Sequence, residues 1–293
     1  MDLFATALAT LRAVHMTAML SLAGALSFRL LVAPYPLARV LRPSAVLAIL
    51  GGLVWLVLQS AALSGADTIP DTLAAIGTVI RDTRFGNVLM LRLVLLVVVA
   101  ALAWRSERPL LTVPAALLAA VAVILQAALG HAAASGNPVL EASLGVHLLA
   151  ASAWLGGLLP LWLALRTPLN QTAHATVARN FSLVGIVAVF AIAATAFEQG
   201  AALFGGFAGL IGTAYGHTAL IKIALFLLLL LLASANRLVL TPALEQSRIA
   251  ASGCGCLFWP RSCSGRWSCW RPPTSPHCRP VCTRSRSGPS RCS

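Results

Sequence analysis

A chain of 293 residues that is 59% hydrophobic and only 10% charged cannot be a water-soluble globule, whose composition carries about 25% charged residues. The formal charge of +13 does not signal a nucleic-acid partner. Up to Ser247 there are 13 basic and 8 acidic residues, and the remaining 8 Arg follow with no acid. All seven cysteines (Cys254, Cys256, Cys263, Cys269, Cys278, Cys282, Cys292) lie in that last segment, so a site in the body must use His, Met or carboxylates.

In chain order, the first apolar run covers 8–33 and has an acid at position 2 with no basic stretch before it. It is expected to be a membrane span rather than a cleaved leader. It carries His15, Met16 and Met19. After the breaker "APYPLARVLRP" comes a second span, 43–64. The segment "TIPDTLAAIGTVIRDTRFG" is too polar to cross, and its Leu73, Ile76, Ile80 spacing predicts a short amphipathic helix at the interface. Spans at 86–104 (with Arg92), 110–131 (ending on His131) and 142–165 (with His147 and Trp154) follow. The last two are 180–204, with Glu198, and 217–240, which opens on His217 and holds Lys222, the chain's only lysine. Runs of this length cross a hydrocarbon core of about 30 Å as helices, and backbone groups in lipid must be satisfied within the helix. The fold class is therefore all-α: a polytopic transmembrane bundle of about seven spans, in contact with the lipid bilayer. No internal repeat is evident.

Basic residues set the orientation. Arg39 and Arg42, Arg105 and Arg108, Arg166 and Arg179, and Arg237 follow spans one, three, five and seven. Of the other loops only the first has basic residues, Arg81 and Arg84, offset by Asp67, Asp71 and Asp82. The amino terminus is expected outside. His15, His131, His147, His217, Arg92, Glu198 and Lys222 then share one layer in the outer half of the bundle. Ionisable groups at such depths are costly and usually face a bundle interior or aqueous cavity.

Imidazole and thioether together suit a soft metal, and His15 and Met19 are one helical turn apart on one face. The candidate metal residues are His15, Met19, His147, His131 and His217, supported by Arg92, Trp154, Glu198 and Lys222. Plainer roles stand beside these. A membrane histidine can be an interhelical hydrogen-bond donor, Met16 and Met19 can be packing, and Arg92 and Lys222 can snorkel to headgroups. Glu198 is a natural partner for Lys222 or Arg92, and His174 is expected in a solvent-exposed inner loop. Trp154 lies seven residues after His147 on one stripe, and Gly156 and Gly157 permit close helix approach. His15 and His147 are expected to approach each other across a helix interface, within about 12 Å on the reach of two side chains and a metal.

The stretch "HLLAASAWLGGLLPL" resembles the His-to-Trp-Gly-Gly signature of the copper resistance D (CopD) family of inner-membrane proteins. "TRFGNVLMLRL", "GHAAA", "ARNFSLVGIVAV" and "TAYGHTALIKIALFLLLLLLASANR" fit in order, so the resemblance covers roughly 8–245. It implies copper transport or tolerance across the bacterial cytoplasmic membrane, with a periplasmic copper-binding partner. It marks His147, Trp154, Arg92 and Lys222 as family-like residues, and His15 as similar to the first-span histidine. Two departures stand out: "HMTAMLSLAGAL" lacks the Trp-Gly-Gly that often follows that histidine, and no eighth span follows "NR". The rival reading is a membrane b-type cytochrome, in which paired histidines clamp haem b. No nucleophile–base pair or phosphate loop appears, so no enzymatic activity is expected.

Residues 1–247 thus form the transmembrane copper-handling domain. Residues 248–293 form a basic, Cys-rich tail, expected to be disordered or out of frame. The Cys spacings make no paired zinc set. Reading from the third base of the Trp codon, "WSCW" becomes Val-Leu-Leu, so a shifted frame restores an apolar run where an eighth span would stand.

Overall fold

The computed structural model describes residues 3–104, 109–129, 136–167, 171–204 and 207–235. Among them are nine α-helices and no strand. They are α1 Leu3–Leu31, α2 Ala38–Ser64, α3 Ile69–Asp82, α4 Arg84–Trp104, α5 Thr112–Ile124, α6 Pro138–Arg166, α7 Gln171–Phe204, α8 Phe207–Gly212 and α9 Ala214–Ala235. A 3-10 segment, Leu125–Leu129, prolongs α5. All except α3 and α8 are long and apolar enough to cross a membrane, which gives the seven spans expected. The expected disorder of the tail and the site at His131 lie outside the described residues.

The helix ends follow local chemistry. Asn137 caps α6 by accepting the Val139 N–H at 2.9 Å, with Pro138 at the first helical position. Gly65 ends α2 in the left-handed region at φ +66°, where a Cβ would be strained. The polar segment after α2 does form a helix, α3. Its buried face, however, is Thr72 and Val79, with Leu73 57% exposed. Ile76 and Ile80 of the expected stripe are half-buried against Trp55, Leu56, Leu89 and Leu93, and α3 packs closely on the start of α4 at Gly86, where a Cβ would lie 2.1 Å from the Val79 carbonyl oxygen.

Two contacts fix helix directions. Arg84, at the first residue of α4, makes a two-pronged ion pair with Glu141 in the first turn of α6, at 2.8 and 2.9 Å. The Tyr35 hydroxyl beyond α1 bonds the Thr167 hydroxyl just beyond α6. Hence α1, α4 and α6 run one way, and α2, α5 and α7 return. The central element is α1, packed on α2, α6 and α5. It can approach α6 closely because Gly24 meets Gly156: a Cβ on Gly24 would lie 2.5 Å from the Gly156 Cα and 2.3 Å from the Ser152 carbonyl oxygen. Gly157, the neighbour also read as a small-residue contact, faces Phe181 on α7. Outward faces carry Leu47, Leu50, Val187 and Phe190, as lipid contact requires.

Candidate metal-handling site

His15 is fully buried, half a helical turn away from the face of α1 that meets α6. Nine residues separate it from Gly24, a rise of about 13 Å and a rotation of about 180°. It looks instead toward α2 and α4. Gly51 and Gly52 on α2 leave room for the ring, since a Cβ on Gly52 would lie 3.1 Å from its Cε1. The His15 Nδ1 lies 2.7 Å from the Ala48 carbonyl oxygen, which can only accept, so Nδ1 carries the proton.

Arg92 arrives from α4, also fully buried. Its Nε donates to the Ala122 carbonyl oxygen of α5 at 3.1 Å. One terminal nitrogen, Nη2, stands 3.2 Å from His15 Nε2 and 2.9 Å from the Met19 sulfur. A guanidinium can only donate, so Nε2 presents a lone pair and the imidazole is neutral. The other terminal nitrogen, Nη1, is buried with no hydrogen-bond partner. Among the described residues, no carboxylate pairs with Arg92. An imidazole lone pair and a thioether thus converge on one positively charged nitrogen, inside a shell closed by Trp55, whose ring centre is 5.6 Å from that of His15. Arg12 lies over that indole, 5.2 Å from its ring centre. Sequence reasoning passed over Arg12, Ala48 and Trp55. A carbonyl partner leaves no residue-type signal, and an arginine at a helix end is read as topology.

His147 lies elsewhere. It is nine residues before Gly156 and so faces away from α1, toward α7, where its Nδ1 is 2.9 Å from the Thr195 hydroxyl. Trp154, two turns along the same stripe, meets Gly185 of α7 and stands edge-on to Phe226 of α9 with ring centres 6.2 Å apart. Lys222, one turn before Phe226, is exposed and within electrostatic range of His147. His217 is exposed in the first turn of α9. Glu198 is half-buried near the end of α7 and forms no ion pair with Lys222 or Arg92. His174 belongs to the first turn of α7 and bonds the Thr167 carbonyl oxygen at 3.0 Å, rather than standing free in a loop.

The expected joint site is therefore divided. His15, Met19 and Arg92 come together, whereas His147 and Trp154 face α7 and α9. The two histidines share a depth but point away from their common interface, so they offer no facing pair to clamp a haem iron. Among the described residues, no group of three or more His, Cys, Asp and Glu side chains is placed to hold a metal. The Met19 sulfur is the second soft atom beside the Arg92 nitrogen that meets His15 Nε2.

Two family models match the chain. "Copper resistance protein D-like, N-terminal domain" covers residues 2–141 and "Copper resistance protein D" covers 175–258. The chain is 29% identical over 178 residues to the inner membrane protein YebZ of Escherichia coli (strain K12), a match covering 58% of this chain and 60% of that protein. It is 27% identical over 224 residues to copper resistance protein D of Pseudomonas syringae pv. tomato, 72% of each chain. No solved structure matches it. With seven membrane-length helices and both matched regions in order, the chain belongs to the copper resistance protein D family.

Proposed function

We propose that the protein carries copper across, or holds it within, the bacterial cytoplasmic membrane, and that His15 Nε2 and Met19 Sδ form a copper-binding pair in the outer half of the bundle. The observation that carries this reading is the convergence of both donors on Arg92 Nη2. Nitrogen and thioether donors with no carboxylate suit Cu(I). The resident guanidinium occupies the position a metal ion would take, so the ion enters as Arg92 swings out, one positive charge replacing another. That exchange spares the site a second uncompensated charge in a low-dielectric interior. The alternation of basic loops favours a periplasmic amino terminus, which opens the site toward a periplasmic copper-binding partner. The reading is transport or tolerance, not catalysis.

Cu(I) titration against a competing chelator tests this on purified chain whose cysteines are blocked. We expect binding that weakens at least about tenfold, or 1.4 kcal/mol, in both His15→Asn and Met19→Leu. His15→Asn keeps a donor near Ala48 while removing Nε2. Unchanged affinity in both variants would overturn the proposal.

A further inference from the structure

We infer that the chain is a tandem duplication of one helical unit, and that the duplication supplies a second metal station at His147, the counterpart of the one at His15.

The first line of support is register. His15 and His147, Gly24 and Gly156, and Tyr35 and Thr167 are each 132 positions apart. Val14 matches Val146, and Ala18 matches Ala150, in the same register. Gly24 touches Gly156, and Tyr35 touches Thr167. Equivalent residues meeting each other is the signature of a two-fold axis, here passing between two parallel helices.

The second line comes from α4 and α9. "TRFGNVLMLRL" and "TAYGHTALIKI" align 130 positions apart, matching Arg92 with Lys222. Their local structures also agree. Thr83 Oγ1 accepts the Gly86 N–H at 3.0 Å, and Thr213 Oγ1 accepts the Gly216 N–H at 2.9 Å. The next N–H in each, Asn87 and His217, bonds the same threonine's carbonyl oxygen at 3.1 and 3.0 Å.

The third line is the histidines themselves. Each directs Nδ1 at the long helix that follows it, Ala48 on α2 or Thr195 on α7. The Thr195 hydroxyl donates to the Ala191 carbonyl oxygen at 2.6 Å, so it accepts from Nδ1–H. His147 thereby holds the same tautomer as His15, with its lone pair on Nε2. The units are α1–α5 and α6–α9, so the repeat missed in the spacing of the apolar segments is a repeat of contacts.

The duplicated stations have diverged in their second donor. Ala151 stands where the first unit has Met19. One turn on the other side of His147, on the same helix face, Ser143 is 6% exposed and its hydroxyl has no hydrogen-bond partner. Imidazole with hydroxyl is a harder set than imidazole with thioether, and it favours Cu(II) where the first station favours Cu(I). Access differs as well. Arg92 is sealed by the Ala122 carbonyl of α5, whereas among the described residues no helix takes that place beside Lys222, which is exposed.

This inference rests on the copper reading above, and one experiment separates the two. Full-length protein with cysteines blocked by N-ethylmaleimide, so that thiols neither bind nor reduce copper, is loaded with one equivalent of Cu(II). Bound imidazole nitrogen is read by electron spin-echo modulation. We expect a Cu(II)–imidazole signal whose affinity falls at least about tenfold in His147→Asn and is unchanged in His15→Asn, with Cu(I) showing the reverse. Ser143→Ala, which leaves the imidazole in place, should weaken Cu(II) about threefold or more. Cu(II) binding unaffected by His147→Asn, or by Ser143→Ala, overturns the second station and leaves the first intact. No binding of copper in either oxidation state overturns the copper reading itself.

Discussion

The chemistry at Arg92 depends on a charge kept where it has no anionic partner. Its guanidinium is fully buried, bonded to a carbonyl, an imidazole and a sulfur, with one terminal nitrogen unsatisfied. Removing a buried charge that has no anionic partner also removes its desolvation penalty. Arg92→Leu should therefore leave thermal stability in detergent within a few degrees of the parent. It should also tighten Cu(I) binding about tenfold, because the donors no longer need to release a resident cation. A weaker copper affinity in a stably folded Arg92→Leu protein would show that Arg92 supports the site rather than competing for it. The depth of His15, Met19 and Arg92 is legible in the sequence, since position along a span follows from counting residues. Their facing is not, because it depends on which helix packs against which. For that reason counting alone does not separate His147, at the same depth, from His15, although His147 faces Thr195 of α7.

At the scale of elements, the α1–α6 contact sets where His15 and His147 sit. Gly156 is legible within "WLGG", but Gly24 in "SLAGAL" looks like any small residue in an apolar run until its neighbour is known. Gly24→Ala would place a methyl 2.3 Å from the Ser152 carbonyl oxygen and 2.5 Å from the Gly156 Cα, both backbone atoms that cannot rotate aside. The helices must separate, at a cost of about 1–3 kcal/mol for overpacking. Melting followed by size-exclusion in detergent should show a clear loss of stability. Gly145→Ala is the control: its methyl would meet Ile124 Cγ2 at 3.4 Å, a distance that needs little adjustment. Equal melting of the two variants would mean that α1 and α6 are not held by this contact. The interfacial helix α3 shows a similar limit. Its existence follows from polarity and from the Leu73, Ile76, Ile80 spacing, but its close packing on α4 at Gly86 depends on a neighbour that spacing does not reveal.

For the molecule as a whole, the direction of the repeat and the orientation in the membrane are one question. The first unit crosses four times, in α1, α2, α4 and α5, so the chain returns to its starting side and the second unit enters in the same sense. A duplication of this kind gives parallel halves related by an axis along the membrane normal. It explains why Arg84 and Glu141, at the starts of α4 and α6, can form an ion pair. It also puts both histidines at one depth and therefore on one side. The arginines give the side expected. Arg39, Arg42, Arg166 and Arg179 flank one set of helix ends, while Arg81 and Arg84 at the opposite ends are offset by nearby Asp67, Asp71 and Asp82. The excess of Lys and Arg stays cytoplasmic. Alkaline phosphatase fused after Ala66 should therefore be active, and a fluorescent protein fused after Thr167 should be bright, with the reciprocal fusions silent. Activity in the opposite pattern would turn both stations toward the cytoplasm. Copper would then have to reach His15 and His147 from inside the cell, and a periplasmic donor could not load either one directly.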